Sequence, residues 1–233
     1  MTPVLGHPRV HHRRTDSTNA RARDLAVAGA PHGTVVTASE QTAGRGRQGR
    51  NWSAPADRAL LCSIVIRDPS ALLPLAAALA VAEIAGEGAR IKWPNDVLLD
   101  GRKLAGILIE GRPQEGWAVL GMGINVAVRL EDLPPELHET AATLGREPED
   151  VDAVLAELLA ALERWLAARE DEVLARYREL DALAGREIRW ASGTGVAAGI
   201  ADDGGLLVRV ADGKTVTLAA GEVHLGPAHS SIE

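Results

Sequence analysis

From Pro148 to Leu183 the chain reads as helix, while the stretches before and after it read as short β runs. Val151, Val154, Leu155, Leu158, Leu159, Leu162, Trp165 and Leu166 recur at three- and four-residue spacing, laying one apolar stripe along the segment. Pro148 suits the first helical position, and Glu149 and Asp150 complement the positive end of the helix dipole. A one-sided stripe needs a partner surface, so two helices packed against a sheet are expected.

The flanking segments supply the strands. Asp16-Ser17-Thr18-Asn19 opens a helix over Ala20–Ala28, with Asp16 or Ser17 as N-cap and Gly29 as the stop. Thr34–Glu40 and Leu60–Ile66 read as strands, the second fully buried, and Leu72–Ala85 as a mostly apolar helix packed inside. Further β runs are expected at Arg90–Trp93, Val97–Leu99, Leu104–Ile109 and Ala118–Val126, with a hairpin turn at Asp100-Gly101. From about Gly185 to Leu225, short apolar runs separated by Asp202-Asp203-Gly204-Gly205 and Asp212-Gly213 predict a small β-barrel.

Composition narrows the class. The 233 residues carry 25 Lys+Arg against 32 Asp+Glu, a formal net charge of −7, which argues against a protein that coats nucleic acid. A hydrophobic content of 46% is enough for a core and argues against disorder. Cys62 is the single cysteine and lies in an apolar run, so a disulfide framework and a multi-cysteine zinc site are excluded and a buried, inert thiol is expected. No signal peptide or membrane-spanning run is visible, and a cytoplasmic location is expected. His7, His11 and His12 read as part of a frayed basic arm, and Lys214 as a solvated charge in a turn.

Three segments carry candidate chemistry. Gly44, Gly46 and Gly49 formally match the dinucleotide fingerprint G-x-G-x-x-G. That motif needs a helix next, and Asn51-Trp52-Ser53-Ala54-Pro55 does not start one, so the match fails on context. What remains is a glycine-freed loop bearing Arg45, Arg47 and Arg50, suited to fold over a phosphate or carboxylate. A solvated basic hairpin or an Arg/Gly nucleic-acid contact explains the composition equally well. The second segment, Ile91–Glu110, holds Lys92 and Lys103, two of only three lysines beside 22 arginines. A compact ammonium reaches a single phosphate oxygen where a planar fork does not fit; the plainer alternative is a pair of strand-edge lysines. The third, Leu120–Val126, ends in Asn125, whose amide can serve a ligand or cap a turn.

Taken together, DSTN (16–19), GRGRQGR with Asn-Trp (44–52), KWPND (92–96), RKLAGIL (102–108) and GMGIN (121–125) resemble, in order and spacing, the biotin protein ligases. The segment from Gly185 resembles that family's small SH3-like barrel. The resemblance covers about residues 15–226 and implies an α+β fold. The expected catalytic domain, 1–183, has a mixed β-sheet with flanking helices, related to class II aminoacyl-tRNA synthetases and lipoate ligases. An SH3-like β-barrel is expected over 184–233. The implied substrates are biotin and ATP with Mg²⁺ carried on the nucleotide, no metal being tightly held by protein. The implied partner is a biotin carboxyl carrier domain bearing the acceptor lysine.

Carried over position by position, the resemblance assigns biotin to Ser17, Thr18, Asn19, Gln41, Gly44, Gly46 and Gly106. Arg45, Arg47 and Lys103 would hold the carboxylate and α-phosphate, with Arg47 and Lys103 stabilising charge on the phosphoryl group. Arg50, Lys92, Asn95, Asp96 and Asn125 would meet the nucleotide, Trp52 and Trp93 would wall the pocket, and the glycine loop would close as a mobile lid. Asp96 is the nearest candidate to orient the acceptor lysine. Repressor members of the family carry an N-terminal DNA-binding module; only 15 residues precede DSTN here, so a ligase without DNA binding is expected, as a monomer or weak homodimer and off the membrane. A lipoate or octanoyl ligase and a non-catalytic biotin-binding module are the rival readings.

Overall fold

The computed structural model describes residues 5–112, 115–219, 221 and 223–225. Its first half contains β1 (Arg9–Thr15), α1 (Thr18–Val27), β2 (Val35–Gln41), β3 (Ala59–Arg67), α2 (Leu73–Ala85), β4 (Ala89–Lys92), β5 (Asp96–Leu99), β6 (Arg102–Arg112) and β7 (Trp117–Asn125). Among the described residues these strands make one seven-stranded sheet in the order β1-β2-β3-β7-β6-β5-β4. β1 and β2 run parallel across α1, and the other neighbours are antiparallel, so the sheet is mixed.

Strand alternation divides the apolar residues between two faces. Val36, Val65 and Val119 pack with Ala22 and Ala26 of α1 on one face. Val35, Ile64, Ile66 and Leu120 belong to the main core on the other. That core is covered by α2 and by α3 (Val151–Ala167) and α4 (Glu170–Leu180). The stripe read from sequence is the buried side of α3, where Val154, Leu155, Leu158 and Leu162 are all 2% exposed or less. Each such side chain stabilises the fold by roughly 1.5–3 kcal/mol before chain entropy is counted. A single turn at Pro148–Asp150, closed by a reciprocal Glu147/Asp150 capping box, starts this helical section.

The N-terminal histidine segment is not a frayed arm. It forms β1, in register with β2 from Arg9↔Val35 to Thr15↔Gln41. His11 Nδ1 lies 3.0 Å from Thr37 Oγ1, and Arg9 Nη2 pairs with Asp152 Oδ1 at 2.7 Å. An edge strand tolerates charge along its length, which is why apolar periodicity missed it. α1 begins at Thr18 with Ser17 in the cap position, but the Ser17 hydroxyl makes no cap bond. The Thr18 N–H instead donates to Gln41 Oε1 at 2.7 Å.

The C-terminal section contains β8 (Glu187–Trp190), β9 (Gly193–Ile200), β10 (Leu206–Arg209), β11 (Thr215–Leu218) and β12 (His224–Leu225). They form an antiparallel sheet in the order β11-β10-β9-β8-β12. A small barrel was expected; its antiparallel sheet is present, with β11 and β12 as the outer strands among the described residues. Its apolar side, Ile188, Ala197, Ile200, Leu206 and Val208, is continuous with the main core. Arg178 of α4 fastens the two sections by donating to Ile200 O at 2.7 Å.

Two titratable groups in this core lie away from any cleft. Burial pushes the Cys62 thiol up to about 12, so it is neutral and unreactive at pH 7. Asp181, at the end of α4, accepts the Leu183 N–H at 2.8 Å through Oδ1, while its Oδ2 is buried without a hydrogen bond. Burial raises its pKa above the usual carboxylate value. Both states of the chain are protonated there at low pH, and the folded state alone holds the proton as pH rises. Stability therefore falls as pH climbs from the ordinary carboxylate range through the raised value. Asp181→Asn keeps the acceptor for Leu183 and removes the charge. The expected result is an unfolding midpoint that gains on the wild type as pH rises from 3 to 8. A difference that stays flat or shrinks over that range contradicts the assignment.

Candidate active site

On the α1 face, the valine rows beneath the helix give way to small residues just past its N-terminus. Register aligns Ser63 with Gly121, Leu61 with Gly123, and Gly106 with Gly123, so β3, β7 and β6 build a shallow floor there. A methyl group on Gly121 would collide with the Asn19 amide, and one on Gly123 with the Trp52 indole. One on Gly106 would stand 3.1 Å from Trp52 Cζ3. The glycines thus leave the room in which Asn19 and Trp52 lie flat on the sheet.

The glycine-rich segment rises over this floor as a hairpin with its own ladder. Gly46 N donates to Arg50 O at 2.7 Å and Trp52 N to Gly44 O at 3.0 Å. Its tip takes positive φ at Gln48 (54°) and Gly49 (74°), the second at no steric cost. Gly44 is needed for close approach, since a side chain there would strike the Trp52 carbonyl.

Opposite the hairpin, β4 turns through Trp93-Pro94-Asn95 into β5. Asn95 is tied to β6 by Ile107 N to Asn95 O at 2.9 Å and by its amide to Ile107 O at 3.2 Å. Trp93 is 3% exposed and donates its indole N–H to Gly204 O at 3.1 Å, so the β9–β10 turn of the C-terminal sheet braces this wall. Lys103 Nζ lies 2.7 Å from Asp96 Oδ1, an ion pair by distance, although the approach angle makes no hydrogen bond. The same ammonium stands 5.8 Å from the Trp52 ring centroid. Its backbone is fixed by Lys103 N to Thr140 O at 2.6 Å and Ala142 N to Lys103 O at 2.8 Å.

These walls enclose one cleft. Ser17, Thr18, Asn19 and Gln41 line one end, Arg45, Gly46, Arg47, Arg50 and Trp52 the roof, and Lys92, Trp93, Asn95, Asp96, Lys103 and Gly106 the remainder. Three N–H donors, Arg45 Nε, Arg45 Nη2 and Trp52 Nε1, are shut from water without an acceptor. Anions suit the site best, because Arg45, Arg47, Arg50, Lys92 and Lys103 all border it.

Two expected residues stand elsewhere. Gly44 supports the hairpin and does not line the cleft. Asn125 is 6% exposed and spends its amide on Ala142 O at 2.9 Å, holding the segment that pairs with Lys103. An amide at a strand end behind glycines presents the same sequence in either role, and here the neighbouring backbone carbonyl claims it. The sequence reading missed Ser63, beside the floor, and Gly121 and Gly123 as floor residues. The alternation Gly121-Met122-Gly123 was the available signal, since two glycines two apart on a strand strip one face of side chains.

This fold and cleft are those of the biotin and lipoate protein ligase class. Residues 11–126 match the Biotin/lipoate A/B protein ligase family, and residues 185–226 match the Biotin protein ligase C terminal domain. The chain is 36% identical to the biotin–[acetyl-CoA-carboxylase] ligase of Mycobacterium tuberculosis, over 90% of this chain and 86% of that one. It is 36% identical to the enzyme of that name from Paracoccus denitrificans, over 91% and 98%. Against the bifunctional ligase/repressor of Bacillus subtilis it is 39% identical over 62% of this chain and spans only about half, 48%, of that protein. A biotin protein ligase from Aquifex aeolicus, solved with biotin and ATP, superposes with a TM-score of 0.75 at 27% identity, covering 94% and 99%. The chain belongs to the biotin protein ligase family.

Proposed function

We propose that this chain is an ATP-dependent biotin protein ligase, which makes biotinyl-5′-AMP and then passes biotin to a lysine of a biotin carboxyl carrier domain. The observation that carries the reading is the meeting of two chemistries in one cleft. The end at Ser17, Thr18 and Gln41 offers a hydrogen-bonding seat for a neutral polar ring, and Arg47, Lys92 and Lys103 offer cations for two anions.

In the first step a carboxylate oxygen of biotin bonds to the α-phosphorus of ATP, and the bond to pyrophosphate breaks. Both reactants are negative, so the barrier is set by repulsion and by charge gathering on the phosphoryl oxygens. Arg47 and Lys103 stand where fixed positive charge lowers both. No general base is needed, because a carboxylic acid is already ionised at pH 7. Mg²⁺ enters as part of the nucleotide substrate; among the described residues no three His, Cys, Asp or Glu side chains gather to hold a metal. In the second step the acceptor amine attacks the acyl carbon and AMP leaves. Asp96, beside Lys103, is the group we assign to orient that amine. The hairpin of Gly44 to Trp52 shields the anhydride from water between the steps. The functional division follows the same reading, with residues 1–183 catalytic and 184–233 a C-terminal module bracing the Trp93 wall. Among the described residues no helix is long and apolar enough to cross a membrane.

Purified protein mixed with biotin, ATP and Mg²⁺ is expected to accumulate biotinyl-5′-AMP by mass spectrometry and to catalyse biotin-dependent pyrophosphate exchange, with lipoate giving little. Absence of adenylate with biotin rejects the reading, and equal exchange with lipoate replaces it with the sister activity.

A further inference from the structure

β6 carries Glu110 on the cleft face, opposite Val119 in register. Its Oε2 accepts a hydrogen bond from Asn19 Nδ2 at 2.8 Å and lies 3.2 Å from Arg45 Nη2. Asn19 in turn accepts from Ser63 Oγ at 2.6 Å, and Ser63 Oγ is 2.8 Å from Thr18 Oγ1. The Thr18 hydroxyl donates to Gln41 Oε1 at 3.0 Å. A continuous polar chain therefore runs beneath the cleft from Gln41 to Arg45, and Glu110 is its link to the hairpin.

The geometry of the last link matters. Arg45 Nε and Nη2 are sealed from water and make no hydrogen bond, so Glu110 neutralises the guanidinium without capping those donors. The Arg45 side chain is 35% exposed and borders the cleft, so the ion pair with Glu110 fixes the guanidinium from the protein side and leaves the rest of it open to the cleft.

We propose that Glu110 is a positioning residue that holds Arg45, and with it the glycine hairpin, over the cleft. The inference rests on the ligase reading for its kinetic tests and on the geometry alone for the proteolytic one. Glu110→Gln retains an acceptor for Asn19 and removes the charge that faces Arg45. In the full chain the variant is expected to raise the KM for biotin in pyrophosphate exchange roughly tenfold, with kcat within about twofold and the unfolding midpoint unchanged. Arg45→Gln is expected to add little in the Glu110→Gln background, because the two act as one unit. Glu110→Ala, which also strips Asn19 of its acceptor, is expected to raise KM further and lower the midpoint. In the ligand-free chain, trypsin is expected to cut within Arg45–Arg50 severalfold faster in Glu110→Gln than in wild type. Wild-type KM, additive effects with Arg45→Gln, or unchanged trypsin cleavage each overturn the proposal. Failure of the wild-type chain to exchange pyrophosphate counts against the ligase reading instead, and leaves the trypsin comparison to decide the role of Glu110.

Discussion

Lys103→Arg is expected to leave the fold and its unfolding midpoint intact and to lower biotin-dependent pyrophosphate exchange by about a hundredfold or more. The chain uses arginine for 22 of its 25 basic residues, so a lysine here is not a compositional accident to be exchanged freely. Lys103 Nζ reaches Asp96 at 2.7 Å while keeping its face to Trp52, and its main chain is clamped on both sides by Thr140 and Ala142. A guanidinium on the same clamped backbone is longer and planar. It spreads its charge over a fork and meets Asp96 with two nitrogens, so the point charge leaves the place where the α-phosphoryl group gathers negative charge. The loss is expected in kcat more than in KM for biotin, since the interaction strengthens in the transition state. Exchange within a factor of about three of wild type would falsify the assignment.

Gly121→Ala is expected to cost about 1–3 kcal/mol of stability and to abolish measurable biotin binding at concentrations that saturate the wild type. The added methyl falls on the Asn19 amide. That amide has little freedom to move, because Ser63, Glu110 and the Leu108 carbonyl hold it at 2.6, 2.8 and 3.3 Å. Either the amide swings into the cleft or β7 shifts away from the floor, and both displace the end lined by Ser17 and Thr18. Isothermal titration with biotin, paired with thermal unfolding, separates lost binding from lost folding. Normal affinity in a folded variant shows that the floor tolerates a side chain and that Asn19 is not pinned.

Some of the cleft was legible in the sequence because its markers are local. Three glycines in six residues with interleaved arginines mark a basic loop suited to an anion among other uses, and Gly44 and Gly49 have local backbone reasons for being glycine. Rare lysines stand out by composition alone. Ser63 and Glu110 had no such marker. Ser63 meets Asn19 across 44 residues of sequence, and Glu110 meets Asn19 across 91. Their pairing exists only once β3, β7 and β6 lie side by side in one register. Asn125 shows the converse: its local context left a ligand or a turn cap open, and its Nδ2 donates to a carbonyl 17 residues away.

The edge strand β1 and the C-terminal sheet follow the same division. Apolar period and turn chemistry act within a few residues, so the α3 stripe, the buried β3 run and the Asp100-Gly101 turn could be read directly from the order of side chains. β1 has no apolar period to read; it is a strand because β2 offers it hydrogen bonds over six paired positions. The C-terminal strands share the main core with the rest of the chain, a matter of packing at long range. Side-chain order was therefore enough for the elements with an apolar period, the glycine- and arginine-rich loop and the lysine pair. The cleft's floor, its counter-charges and its bracing by Gly204 were decided by register and packing, since those forces act between residues that meet only in the folded chain.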